Sequence, residues 1–277
     1  MLTARMLAIL LVAASLPLHA AEKVPLFDGH VHYNFNAVEI HPPEAALKWL
    51  DGAGISRAIV SSTPNDGTLK LYALDPGRFI PFLRPYRKAH DSAGWAAERQ
   101  SWYRDPETLP FLEDELQRGI YRGIGEFHVN GNEVDTKVMR GVVDIAVRHD
   151  LFLLAHSDAA AIERLYAFNP GVRIIWAHTG MSEPEPTVRR LFEQHPSLIG
   201  ELSYRSGIVR SGGLSPEWRE LFLRYPDRFL YGSDTWVAER WPEVPALADA
   251  ARSWLAELPT EVAQKIAFRN GERLFAP

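Results

Sequence analysis

Five histidines, His30, His32, His128, His156 and His178, fall at or just past the end of an apolar, strand-like run. His30 and His32 stand two apart in Asp28-Gly29-His30-Val31-His32. Side chains two apart on a strand point the same way, so both rings can reach one metal ion. Ile124-Gly125-Glu126-Phe127-His128, Leu154-Ala155-His156-Ser157, Ile175-Trp176-Ala177-His178-Thr179-Gly180 and Tyr231-Gly232-Ser233-Asp234 close four further runs. Each polar residue among them is costly to bury unless it is hydrogen-bonded, paired or bound to metal. Imidazole and carboxylate ligands suit zinc first, and also manganese, iron or cobalt, as one ion or two. A bound divalent ion lowers the pKa of water to about 7. A carboxylate beside such an ion can then accept a proton and pass it to a leaving group. Asp28, two residues before His30, reads as the group that fixes the free N–H of a ligating histidine.

The elements that must position these residues are legible as apolar runs: Val24–Phe27, Arg57–Ser61, Arg78–Leu83, Tyr121–Gly125, Leu151–Ala155, Val172–Ala177, Ser197–Leu202 and Arg228–Tyr231. They lack polar–apolar alternation, as strands buried on both faces of a parallel sheet do. Helical patterns lie between them at Pro43–Leu50, Leu112–Arg118, Lys137–Arg148, Ala159–Ala167, Val188–Gln194 and Glu217–Leu223, with two more at Ala246–Leu258 and Glu261–Ala267. Eight strands in this order predict a (β/α)8 barrel, whose carboxyl-terminal strand ends converge on one face. A doubly wound sheet is the competing topology, and no Gly-x-Gly-x-x-Gly follows the first run to support it. The connection from Pro85 to Pro110 is long and holds Trp95, Trp102 and Tyr103. It reads either as an aromatic lid or, preferably, as an amphipathic helix packed on the barrel.

The 277 residues, 46% hydrophobic and 23% charged, describe a globular chain. A net charge of −5 gives no reason to expect nucleic acid or an anionic membrane as partner. The chain has no cysteine, which excludes a thiol nucleophile, a disulfide framework and thiolate-bound zinc. Arg5, the apolar stretch Met6–Leu18 and the small residues ending at Ala20 read as a secretory signal peptide. Residues 1–20 are therefore expected to be removed on export to a periplasm. Residues 21–277 then form the barrel, with no stable membrane anchor. His41, His149 and His195 sit at turn or helix-end positions and read as surface features.

Taken in order, these motifs resemble the amidohydrolase superfamily of metal-dependent barrel enzymes, nearest its "amidohydrolase 2" branch. The Gly123-Ile124-Gly125-Glu126 pattern is shared with TatD-like nucleases, and Arg269-Asn270-Gly271-Glu272-Arg273-Leu274-Phe275 is similar to a common closing segment. The resemblance implies that His30 and His32 are first-strand metal ligands and that His156 and His178 serve a metal or the substrate. It implies that Asp234 contacts metal and manages the proton of the attacking water, so that His178 and Asp234 take part in catalysis. Glu126 stands where relatives carry a bridging carboxylate or a carbamylated lysine. His128 is extra to the family pattern and stays open between ligand, substrate donor and replacement ligand.

Arg84 and Tyr86 after the third strand, Tyr204 and Arg205 after the seventh, and Trp236 after Asp234 are candidate substrate contacts. The leading expectation is a metal-dependent hydrolase of a small organic ester, lactone or amide. The alternatives are a non-oxidative decarboxylase on the same scaffold, a TatD-like phosphodiesterase and a non-catalytic metal- or solute-binding protein. No residue period separates an oligomer interface from core packing.

Overall fold

The computed structural model describes residues 23–276. The expected leader, residues 1–20, lies outside the described residues. All eight apolar runs are strands: β1 (Leu26–Val31), β2 (Ile55–Val60), β3 (Phe79–Leu83), β4 (Gly123–His128), β5 (Phe152–His156), β6 (Arg173–Trp176), β7 (Ile199–Glu201) and β8 (Phe229–Leu230). They pair in parallel in sequence order. Two backbone hydrogen bonds join the first strand to the segment leaving the last, Gly29 N to Tyr231 O and Asp234 N to His30 O, both 2.7 Å. The sheet thus curls into the expected (β/α)8 barrel. Its first strand begins later than the sequence suggested, so that His30 lies within β1 and His32 immediately beyond it.

The helices that wrap the sheet include α1 (Pro43–Gly52), α2 (Asp66–Leu74), α3 (Ser92–Arg99), α4 (Thr108–Leu116), α5 (Lys137–Arg148), α6 (Ala159–Phe168), α7 (Glu185–Gln194), α8 (Pro216–Arg224) and α9 (Val244–Leu255). Helix α5 has the boundaries its periodicity predicts. Thr136 accepts the Met139 N–H at its start, and its buried face carries Val138, Met139, Val142, Val143, Ile145 and Ala146. Helix α2 has no counterpart among the expected elements, because Pro64-Asn65-Asp66-Gly67 carries the residue types of a turn. The expected helix Glu261–Ala267 divides into Thr260–Gln264 and a wider-wound segment, Lys265–Arg269.

Phe27, Phe82, Phe152, Ile175 and Leu230 fill the barrel interior away from the histidines, and Phe275 from the chain's end joins them. The Phe275 ring centroid lies 5.8 Å from Phe27, 5.9 Å from Phe82 and 5.2 Å from Phe152. Arg57 ties the tail down through Glu272 (2.8 Å) and the Phe275 carbonyl (3.0 Å). Because this ring closes the interior, Phe275→Ala should cost about 3–5 kcal/mol in chemical denaturation. A loss below about 1 kcal/mol would show that the tail is peripheral to the core.

Candidate active site

Two local irregularities turn the functional side chains inward. Strand β4 pairs with β5 in register up to Gly125↔Leu154 and resumes at Phe127↔Ala155, leaving Glu126 as an extra residue. Such a bulge re-aims a side chain, and here the Glu126 carboxylate enters the barrel mouth. Gly125 permits it: its φ is +122°, and a Cβ there would stand 2.2 Å from the Leu154 carbonyl. At the other strand ends, His178 (φ +56°), Tyr204 (φ +49°) and Asp234 (φ +50°) hold left-handed backbone conformations. Non-glycine residues seldom adopt these, and they gather at functional sites.

The buried centre is built from His30, His32, Glu126, His178 and Asp234. His30 and His32 face each other with their Nε2 atoms 3.0 Å apart. Neither ring has a free proton at Nδ1. That of His30 meets the Glu201 carboxylate at 2.8 Å, and that of His32 meets the Ser61 carbonyl. Both partners only accept, so both rings carry the Nδ1 proton and direct Nε2 toward one another. His178 repeats the arrangement, its Nδ1 directed at the Ser203 carbonyl (2.9 Å). Its Nε2 faces Glu126 Oε1 at 3.5 Å and Asp234 Oδ2 at 3.8 Å. Asp234 Oδ1 lies 3.3 Å from His32 Nε2 and has no hydrogen-bond partner among the described residues.

Imidazole Nε2 atoms and carboxylate oxygens therefore converge on one buried space. The carboxylates of Asp234, Glu201 and Glu126 overcome burial and raise His30 well above the usual imidazole range. Burial would lift Asp234, yet His30 and His32 hold it down to about 2. Burial would likewise lift Glu126, which the facing imidazoles keep well below the usual carboxylate range. A centre with this imbalance favours a compact positive charge, and its nitrogen and oxygen donors fit a divalent cation. Two sets of three donors have ligand atoms within 4.8 Å of one another here: His30, His32 and Asp234, and His30, Glu126 and His178.

Glu201 is the functional residue that the strand-end motifs do not reveal. It is fully buried on β7 and accepts hydrogen bonds from His30 Nδ1, the His178 N–H (3.0 Å), Ser203 Oγ (2.9 Å) and the Ser203 N–H. The signal was an acidic residue inside the apolar run Leu198-Ile199-Gly200-Glu201-Leu202. Glu201 takes the orienting role expected of Asp28. Asp28 instead accepts the backbone N–H groups of His30 and Ser233, both at 3.0 Å, and touches no ring nitrogen. Burial pushes its carboxyl up to about 7. The physical reason is the rise along the strand: Asp28 shares the face of His30 but lies two residues, about 6.6 Å, deeper, where it braces the seam between β1 and β8.

A pocket of about 500 Å³ opens above the centre, lined by Glu126, His128, His156, His178 and Asp234 below and by Phe35, Trp95, Met181, Tyr204, Trp236 and Val237 around its walls. Trp95 comes from α3, so the long connection forms a helix that also borders the pocket. Trp102 and Tyr103 are buried behind it. Tyr204 and Trp236 stand at the rim, joined by a 3.0 Å bond from the indole N–H to the phenol oxygen.

Two expected substrate contacts are corrected. Arg205 turns away from the pocket, donates to the Met181 and Glu183 carbonyls and lies over the Trp218 ring. Its neighbour Tyr204 takes the inward position, and consecutive side chains cannot both do so. Arg84 does reach the pocket, where three of its five N–H donors engage Glu126 Oε2 (2.6 Å), the Glu126 carbonyl (2.8 Å) and Thr63 Oγ1 (3.2 Å). It fixes Glu126. Tyr86 lies buried behind His128, outside the pocket wall.

Fold and site together define a barrel enzyme with a buried histidine–carboxylate centre. Residues 104–276 match the family described as amidohydrolase, and the chain belongs to that family. The matched stretch begins beyond β3, so His30 and His32 enter the site from outside it. No curated protein matches the chain. Among solved structures, 2,6-dihydroxybenzoate decarboxylase in complex with 2,6-dihydroxybenzoate is similar at a TM-score of 0.60 and 14% identity, covering 91% of this chain and 99% of that one. A 4-oxalomesaconate hydratase from Rhodopseudomonas palustris gives 0.56 and 15%, covering 90% and 95%. An amidohydrolase from Burkholderia multivorans with bound zinc gives 0.53 and 16%, covering 91% and 99%. At such identities the likeness is one of fold.

Proposed function

We propose that the protein hydrolyses a carboxylic ester, lactone or amide bond in a small, largely apolar molecule, using one divalent cation held by His30, His32, His178, Asp234 and Glu126. The observation that carries this reading is the pair of facing imidazole Nε2 atoms, with the unpartnered Asp234 oxygen beside them. When bound, the ion supplies a Lewis acid and makes water acidic enough to give up a proton near neutral pH. The Asp234 carboxylate accepts that proton and returns it to the leaving oxygen or nitrogen as the acyl bond breaks. Phe35, Trp95, Met181 and Trp236 cover the apolar part of the substrate and thin the water around the reacting bond. His156 donates from Nδ1 to Glu126 Oε1 at 2.9 Å and so holds the carboxylate from the pocket side.

Hydrolysis is favoured over decarboxylation because Arg84, the buried guanidinium best placed to clamp a substrate carboxylate, directs three of its five N–H donors, including its ion pair, to Glu126 and Thr63. The apolar wall disfavours a phosphodiester. Zinc is the favoured ion, in keeping with the imidazole-rich donor set. The reading of residues 1–20 as a leader places this chemistry outside the cytoplasm. Among the described residues, no helix is long and apolar enough to cross a membrane.

Protein purified without chelator should carry about one equivalent of divalent metal per chain. It should turn over members of a lactone, ester and amide panel, and lose that activity on dialysis against a chelator. Metal-free protein with full turnover, or carbon dioxide release from an aromatic acid as the sole activity, would overturn the reading.

A further inference from the structure

His128 is oriented opposite to the other imidazoles. The Tyr86 phenol oxygen accepts the His128 backbone N–H at 3.0 Å and lies 2.8 Å from His128 Nδ1. A phenol has one proton, and that of Tyr86 is buried with its ring. With the backbone N–H already donating to the oxygen, the remaining hydrogen bond uses the phenol proton, and Nδ1 is its acceptor. Were Nδ1 protonated instead, the oxygen would take two donors and its own proton would be left buried and unpaired. His128 therefore carries its ring proton on Nε2. His30, His32 and His178 carry theirs on Nδ1, against Glu201, Ser61 and Ser203.

The ring is also held mechanically. Trp102 Nε1 donates to the His128 carbonyl at 3.0 Å, and the Trp95 ring meets the imidazole edge-on with centroids 5.9 Å apart. Among the described residues Nε2 has no hydrogen-bond partner, and His128 lines the pocket. Glu126, His128 and His156 do have ligand atoms within 4.8 Å of one another, a spacing that on its own would allow a second metal ion. A protonated Nε2 with Nδ1 engaged leaves His128 no lone pair to give one.

We propose that His128 is a fixed hydrogen-bond donor to the substrate, its tautomer set by Tyr86, and that it is not a metal ligand. The inference rests on the hydrolase reading for the identity of the reaction. It adds that the bound molecule places an oxygen acceptor, the carbonyl oxygen on which negative charge develops, against Nε2. Tyr86 is a positioning residue that acts through the imidazole.

The test uses the metal-loaded protein with 15N-labelled histidine. Long-range 1H–15N spectra should show His128, identified by its loss in His128→Gln, with a protonated Nε2 and a bare Nδ1. In Tyr86→Phe that preference should fall toward a mixture of tautomers. Metal content should stay at the wild-type value in Tyr86→Phe, His128→Leu and His128→Gln. His128→Leu should lower kcat by at least ~100-fold, as loss of one donor to a developing oxyanion does. His128→Gln, whose amide N–H2 can stand in for Nε2–H, should recover at least a tenth of wild-type kcat. A bare Nε2 in the wild-type spectrum, or loss of a metal equivalent in either His128 variant, would overturn the proposal. The spectra and the metal content need no substrate, so failure of the hydrolase reading, seen as an unreactive panel, is distinguishable from failure of this one.

Discussion

Asp234→Asn is expected to lower kcat by about 10²–10⁴-fold while leaving most of the bound metal in place. The substitution keeps the side-chain shape and one coordinating oxygen but removes the proton acceptor. Asparagine is the right replacement because position 234 has a φ of +50°, which Asn and Asp tolerate better than other side chains. Alanine would mix backbone strain into the result. His30→Ala should show the reverse order of events. It removes a buried ring that links Glu201 on one side to the ion position on the other, so metal occupancy falls first and activity follows. Metal analysis beside turnover separates the two. If Asp234→Asn loses all its metal while His30→Ala retains it, the assigned roles are wrong. Full hydrolysis by both variants would place the active site elsewhere.

The second large effect is expected at a residue that touches neither metal nor substrate. Glu201 accepts at both carboxylate oxygens, Oε1 from the Ser203 N–H and Oε2 from His30, Ser203 Oγ and the His178 N–H. Glu201→Gln is nearly isosteric, yet it must set an N–H2 group against donors. Gly232 makes the space that Glu201 Oε1 fills, since a Cβ there would lie 2.1 Å from it. A neutral amide oxygen is also a weaker acceptor for His30 Nδ1 than the carboxylate, so the ring is held less firmly. Chelator competition should show metal affinity reduced by about 10–100-fold. Denaturation should show a loss of about 1–3 kcal/mol from the unsatisfied buried donors. Unchanged affinity with the stability loss alone would make Glu201 a structural brace only.

The barrel was legible because its strands are apolar on both faces, a pattern that few other elements produce. The histidines at the strand ends were legible for the complementary reason, since polar groups following such runs must be used. What the sequence hid depended on tertiary direction. Glu201 lies inside a strand, where attention to strand ends does not reach. Arg84 and Arg205 occupy equivalent places after β3 and β7, yet one is spent on a carboxylate and the other turns outward. Asp28 and His30 have the spacing of a shared face, but the depth of each within the barrel decides that one braces backbone and the other meets Glu201. Tyr86 was visible as a residue on the active side. Its partnership with His128 depends on the β3–β4 neighbourhood, which no spacing within one strand encodes.

The seam between β1 and β8 sets a condition on assembly. His30 and His32 arrive at the start of the folded chain and Asp234 close to its end, and the Asp234 N–H to His30 carbonyl bond joins these two segments. Until the last strand docks, a growing or partly folded chain holds two histidines without their aspartate, a weaker and less selective chelator than the finished centre. Closure of such distant segments is slow relative to local helix formation. Ion capture at the proposed centre would therefore be a late event, and the metal supply that matters would be that of the compartment in which the eighth strand finds the first.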